Sequence, residues 1–177
     1  MRILHVINDA ETGGAQTLVE ALARHRDPSD EAHILVLLGR GGLSDRLEEA
    51  ASSVEHVGMS RKDLVPARAA AHLLRMVRRL EIDVVHSHLQ QSDLLSALTP
   101  HGRPRVSTQH SSQDGSSSAV ARFAWQAAAK TSFRMDAVVA WAPGGGRGGT
   151  KVGYKFPTEK RSVVFKENTK TSTPPPH

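Results

Sequence analysis

The chain has 177 residues, 38% of them hydrophobic, no cysteine and a formal net charge of +5. That size and apolar content allow one domain with a real core and exclude a wholly disordered chain. No apolar run nears the about 18 residues of a membrane span, no signal-peptide pattern opens the chain, and without cysteine there is neither a disulfide framework nor a thiolate metal site; a cytoplasmic location is expected.

Taken in order, Arg2–Ile7 reads as a buried strand, followed by a polar loop, Asn8–Thr12, and the pair Gly13-Gly14. A helix is predicted over Gly14–Arg24, with Ala15, Leu18, Val19 and Leu22 on its apolar face. After the turn cluster Asp27–Asp30, His33–Leu38 is a continuous apolar run, the pattern of a strand covered on both faces. A short helix is expected over Leu43–Ser52 with Ser44 as its cap, then a weak strand over Val54–Val57. Pro66 suits the first turn of the next helix, whose apolar face holds Leu73, Leu74, Val77 and Leu80 while Arg75, Arg78 and Arg79 face away.

Asp83–Ser87 is the fourth predicted strand, Ser92–Leu98 a short helix and Arg105–Gln109 the fifth strand. A Ser-rich loop over Ser111–Ser118 leads into a helix over Ala119–Ser132 and a sixth strand over Asp136–Ala140. Strands and helices alternating at this spacing imply βαβ units: a single α/β, Rossmann-like domain with a mostly parallel sheet and helices on both faces. The alternation then stops. Pro143–Gly149 is too rich in glycine for a helix, Ser162–Phe165 reads as a last strand, and Thr171–His177 ends in three prolines.

The charge shifts at the same place. Met1–Ala142 carries sixteen Lys and Arg against sixteen Asp and Glu, and Pro143–His177 carries seven against two. The basic character belongs to the C-terminal segment, so no nucleic-acid partner is expected. Two units follow: a domain over residues 1–142 and an atypical Gly/Lys/Pro-rich segment over 143–177, expected to be partly disordered.

Three places carry candidate chemistry. Gly13-Gly14, between a strand and a helix, lets an anion approach the backbone, although any tight strand-to-helix turn favours glycine. The GxGxxG fingerprint is absent and no acidic residue closes the second strand, which argues against a nicotinamide cofactor. His86 and His88 point the same way from the end of a strand, where α/β sheets open their crevice; two histidines alone are too few ligands for a metal site. His110, just beyond the fifth strand, sits where it can meet a sugar or phosphate, or cap the loop that follows.

MRILHVIN, then Thr12-Gly13-Gly14-Ala15-Gln16, DVVHSHL at 83–89, RVSTQH at 105–110 and DAVVA at 136–140 together resemble the N-terminal, acceptor-side domain of family 4 glycosyltransferases, a retaining family of the GT-B fold. The resemblance spans Met1 to Ala142. It implies a glycosyltransferase of hexosyltransferase type, with the acceptor held by this domain and a nucleotide-diphosphate sugar held mainly by a second one. Gly13 and Gly14 match the glycine turn near the donor diphosphate or an acceptor phosphate, and Gln16 the Glu/Gln after it. His110 matches the histidine that contacts the transferred sugar, and His86 and His88 a pair lining the same cleft.

No metal or other cofactor is implied. The implied partners are a sugar, glycolipid or small-molecule acceptor and a donor-binding domain in cis or in trans, with room for a peripheral membrane contact. The family's donor domain, with its Lys/Arg pair and paired glutamates, has no counterpart after Ala142, so the chain is expected to be truncated or altered there and catalytically incomplete alone. Two other readings stand beside this one: a non-catalytic Rossmann-like module that binds a phosphorylated ligand and, more weakly, a histidine-based metal hydrolase.

Overall fold

A computed structural model describes residues 1–60, 67–109, 126, 127, 130–142 and 162–166. Strands and helices alternate: β1 (Arg2–Ile7), α1 (Gly14–Arg24), β2 (Glu31–Val36), α2 (Ser44–Ala50), β3 (Ser53–His56), α3 (Ala67–Arg79), β4 (Val84–His88), α4 (Gln90–Leu98), β5 (Arg105–Gln109), a 3-10 turn over Ser132–Arg134, β6 (Ala137–Ala142) and β7 (Ser162–Lys166). The seven strands form one sheet in the order β3-β2-β1-β4-β5-β6-β7, with every neighbouring pair parallel. The chain runs outward from β1 to β3, crosses back, and runs outward again from β4. The sheet therefore reverses its winding between β1 and β4, the place where an open α/β sheet forms its crevice.

Alternation along β1 divides the core in two. Leu4 and Val6 join Leu35, Leu37 and Val85 beneath Leu73, Met76 and Val77 of α3 and Leu95 of α4. Ile7, on the other face, joins Ile34 and Val36 beneath Val19 and Ala23 of α1 and Leu47 of α2. Both faces of the central strands are thus covered, as their continuous apolar sequence requires. The starts of β1 and β4 are pinned together: Arg2 N–H donates to Asp83 Oδ2 at 2.7 Å, and Asp83 N–H returns to Arg2 O at 2.9 Å.

Several boundaries and faces differ from the sequence expectation. In α1 the buried positions are Ala15, Gln16, Val19, Glu20 and Ala23. Leu22 is 40% exposed. Two polar residues turn inward because their groups find partners: Gln16 bonds to Asp9, and Glu20 pairs with Arg24 at 3.0 Å and Arg46 at 2.7 Å. In α3, Met76 is buried where Leu74 was expected. Ser44 does not cap α2 from outside; it is the first helical residue, and its hydroxyl accepts the Gly41 N–H at 2.9 Å. β2 begins at Glu31, two residues early, and the N–H groups of Leu37 and Leu38 go instead to the carbonyls of Ile7 and Asn8. The predicted helix over Ala119–Ser132 falls largely outside the described residues, as do Pro66, residues 111–118 and most of residues 143–177.

Candidate functional site

Parallel strands bring all their carboxyl ends to one edge of the sheet, so the loops after β1 and β4 share one crevice, with the end of β5 beside them. α1 starts over the end of β1 and α4 over the end of β4. Asn8 links them: its Oδ1 accepts both the N–H and the hydroxyl of Ser92, each at 3.1 Å. The Ser92 hydroxyl also donates to the His88 carbonyl. Leu89, between β4 and α4, has φ 75° and ψ 166°, a region that side chains other than glycine rarely occupy and that costs about 1–3 kcal/mol. Below, on the other face of the sheet, the buried Asp93 carboxylate accepts from Ser87 at 2.6 Å and from Ser107 at 2.9 Å, which locks the start of α4 onto β4 and β5.

Three imidazoles meet on the face shared with α1. His5 of β1 lies in register with His86 of β4, and His88 follows two residues on. Ring centroids of His86 and His88 are 4.1 Å apart, and His5 lies 5.2 Å from the first and 5.4 Å from the second. His5 Nδ1 and His88 Nε2 are 3.2 Å apart, the distance of a hydrogen bond, and His86 Nε2 lies 2.7 Å from Thr108 Oγ1 on β5. His5 and His88 are buried and His86 is half-buried. Burial pushes the His5 imidazole down to about 4, so it is neutral near pH 7. Each of the three offers a ring nitrogen within 4.8 Å of the others. A tetrahedral zinc site with bonds of about 2.0–2.1 Å needs its ligand atoms about 3.3 Å apart, a spacing that His5 Nδ1 and His88 Nε2 meet at 3.2 Å.

The glycine turn lies at the start of α1. Gly13 is in extended backbone, φ −165° and ψ 165°, and its carbonyl takes the Thr17 N–H at 2.9 Å. A side chain at Gly13 would collide with Gln16 Oε1 at 2.6 Å, whereas Gly14 faces open space. Gln16 is almost wholly buried and donates from Nε2 to Asp9 Oδ1 at 2.7 Å. Gly41 carries the loop from behind: a Cβ there would lie 2.6 Å from the Ala10 carbonyl and 2.8 Å from Glu11 N.

Of the residues predicted from sequence, Gly13, Gly14 and Gln16 thus stand together at the end of β1, and His86 and His88 at the end of β4. His110 lies outside the described residues. Sequence reading missed His5, Asn8, Asp9 and Thr108. His5 was absorbed into the apolar run of its strand, and only the β1–β4 register reveals it as the third imidazole. A separate concavity of about 470 Å³ lies at the opposite, strand-start edge against Leu98, Phe133, Arg105 and Asp136, and holds none of the predicted residues. Among the described residues no helix is long and apolar enough to cross a membrane.

The family profile described as Glycosyltransferase Family 4 matches residues 12–143. No curated protein matches the chain significantly. Among solved structures, Anabaena HepE in complex with UDP is similar at 21% identity and a TM-score of 0.60, over 79% of this chain and 37% of HepE. A mutant of Thermobaculum terrenum O-GlcNAc transferase is similar at 18% identity and a TM-score of 0.57, over 93% of this chain and 27% of that one. Acinetobacter baumannii MurG is similar at 16% identity and a TM-score of 0.53, over 93% and 45%. At such identities the likeness is one of fold, and the chain spans only 27% to 45% of each of these proteins.

Proposed function

The chain belongs to glycosyltransferase family 4, and from that premise we propose that it is the acceptor-side half of a retaining glycosyltransferase. The donor is a nucleotide-diphosphate sugar of the hexosyl type, and a donor-binding domain is supplied in cis or in trans. The observation that carries this reading is the coincidence of the family match with the crevice between β1 and β4, which gathers Gly13, Gly14, Gln16, His86 and His88. HepE, of similar fold, has been seen with UDP and with UDP-glucose.

In the proposed reaction the acceptor hydroxyl attacks the anomeric carbon from the face that the diphosphate leaves. The glycosyl C–O bond to phosphate breaks as the new one forms, and the hydroxyl proton passes to the departing phosphate oxygen. No metal or other cofactor takes part. Stabilising the developing diphosphate charge falls to the donor-binding half. This half orients the acceptor between the glycine turn and the histidine wall, with His110 proposed to contact the transferred sugar. Orientation of this kind supplies a large share of such barriers.

The test is a transfer assay with UDP-glucose and a panel of sugar, glycolipid and small-molecule acceptors. The purified chain alone is expected to give no product, and transfer is expected when a family 4 donor half is fused or added. Robust turnover by the chain alone would overturn its dependence on a donor half. Binding of phosphorylated ligands without transfer in any combination would favour the non-catalytic module instead.

A further inference from the structure

The register of β1 on β4 turns two histidines into three. His5 lies opposite His86, and 83 positions of chain separate it from His88, whose ring it meets. Each imidazole brings one ring nitrogen within 4.8 Å of the others. Among the described residues this is the one group of three or more histidines and carboxylates close enough to share an ion. It contains imidazoles only.

A metal site needs fitting donor atoms, spacing, outer support and a way in. Imidazole nitrogens suit zinc, copper, nickel and iron, whereas Mg²⁺ and Ca²⁺ take oxygen ligands. Three protein ligands and one open position is the arrangement of zinc sites that keep a water. His5 Nδ1 and His88 Nε2 already stand 3.2 Å apart. The His86 nitrogen has to move by roughly 1.5 Å at most to complete a tetrahedral face, and its broad ring torsion allows that. Thr108 Oγ1 lies 2.7 Å from His86 Nε2. Coordination through His86 Nδ1 therefore leaves an Nε2–H to donate to this hydroxyl, the outer contact that orients ligating histidines. His5 and His88 are closed off from water, and half-buried His86 connects the site to it. Without an ion, one N–H joins His5 to His88. On binding, that proton passes to the other nitrogen of its ring, so both facing nitrogens present lone pairs and both rings stay neutral.

We propose that His5 Nδ1, His88 Nε2 and a ring nitrogen of His86 bind a first-row divalent transition ion of the zinc type, with water in the fourth position. The ion ties β1 to β4 where the sheet reverses its winding. Only the folded chain brings the three rings together, so the ion stabilises the fold by mass action. The site stands on the geometry of the rings alone. The sugar transfer proposed above takes no step through the ion, and either reading can fail without the other.

The test is titration of the chelator-treated, ¹⁵N-labelled chain with Zn²⁺ and, separately, Mg²⁺, read at the histidine ring nitrogens. The chain has ten histidines, so the reading is made residue by residue. Zn²⁺ is expected to saturate at one per chain, to shift the rings of His5, His86 and His88 together and to raise the melting temperature; Mg²⁺ should do none of these. Co²⁺ in place of Zn²⁺ should give the intense visible absorption of a four-coordinate ion. His86→Gln should abolish the saturable site, and Thr108→Val, which keeps all three ligands, should weaken it about tenfold. His25→Gln, at an exposed histidine outside the triad, should leave it unchanged. The wild-type spectra decide the matter even if a variant fails to fold. Zinc shifts confined to exposed histidines, shifts at only two of the three rings, or equal affinity in folded His86→Gln would each overturn the proposal, as would the absence of saturable binding.

Discussion

Burial holds the imidazole of His5 at about 4, and burial together with the nearby Arg105 guanidinium holds that of His101 at about 4 as well. His101 Nδ1 accepts the Arg103 N–H at 3.2 Å, a bond only the unprotonated ring can take. In the unfolded chain both rings protonate near 6.5. Between about pH 6.5 and 4 the unfolded state therefore binds more protons than the folded one, so stability rises with pH in that window and is lost as pH falls through it. Full burial of His5 makes its share of this loss up to about 3 kcal/mol, and solvent screening makes the share of His101 smaller. Urea titrations at pH 7 and pH 4.5 measure it directly: stability should drop, and His101→Gln should reduce the drop. A flat profile across the window would contradict these assignments. His86 and His88 were legible in the sequence, because spacing by two at a strand end sends both side chains one way. His5 was not, because the pairing that brings it to them joins strands far apart in the chain.

At the level of the element, α1 and the loop before it show what periodicity can and cannot tell. The strand, glycine turn and helix were readable from the apolar run, the glycine pair and the helical spacing. The buried face was misjudged: hydrophobicity alone turns Leu22 inward, whereas Gln16 and Glu20 take the inner positions with the partners found by folding. Leu22→Ala should accordingly change stability by no more than about 0.5 kcal/mol, whereas Leu73→Ala or Met76→Ala in α3 should cost about 2–5 kcal/mol; thermal or urea unfolding separates the two. The glycines divide in the same way. Gly41→Ala forces a Cβ against the backbone of Ala10 and Glu11. It should destabilise the chain by about 1–3 kcal/mol and shift the Asp9 and Gln16 amide signals. Gly14→Ala meets nothing, and should leave the melting temperature unchanged or slightly raised, since alanine favours helix by up to about 1 kcal/mol. Equal losses in both variants would refute the close approach at Gly41.

For the whole molecule, the alternation of apolar runs with helical patterns carried the α/β class and the parallel sheet, since only right-handed crossovers join such strands efficiently. The strand order was beyond reach, because nothing local marks β1 as central or places the reversal between β1 and β4. The crevice inherits that limit: its parts were visible singly in the sequence, and their meeting was not. The pinning of β1 to β4 also governs time. Arg2 and Asp83 exchange bonds across 81 positions of chain. Closing so long a loop is slow compared with zipping a helix or joining nearby strands. In refolding, α1 and the β1–β2 pair should acquire amide protection first, with β1–β4 protection and the ability to hold a ligand arriving together in the slowest phase. The crevice is then a late product of folding, and a chain caught before that step has its first strands and helix formed yet is unable to recognise anything.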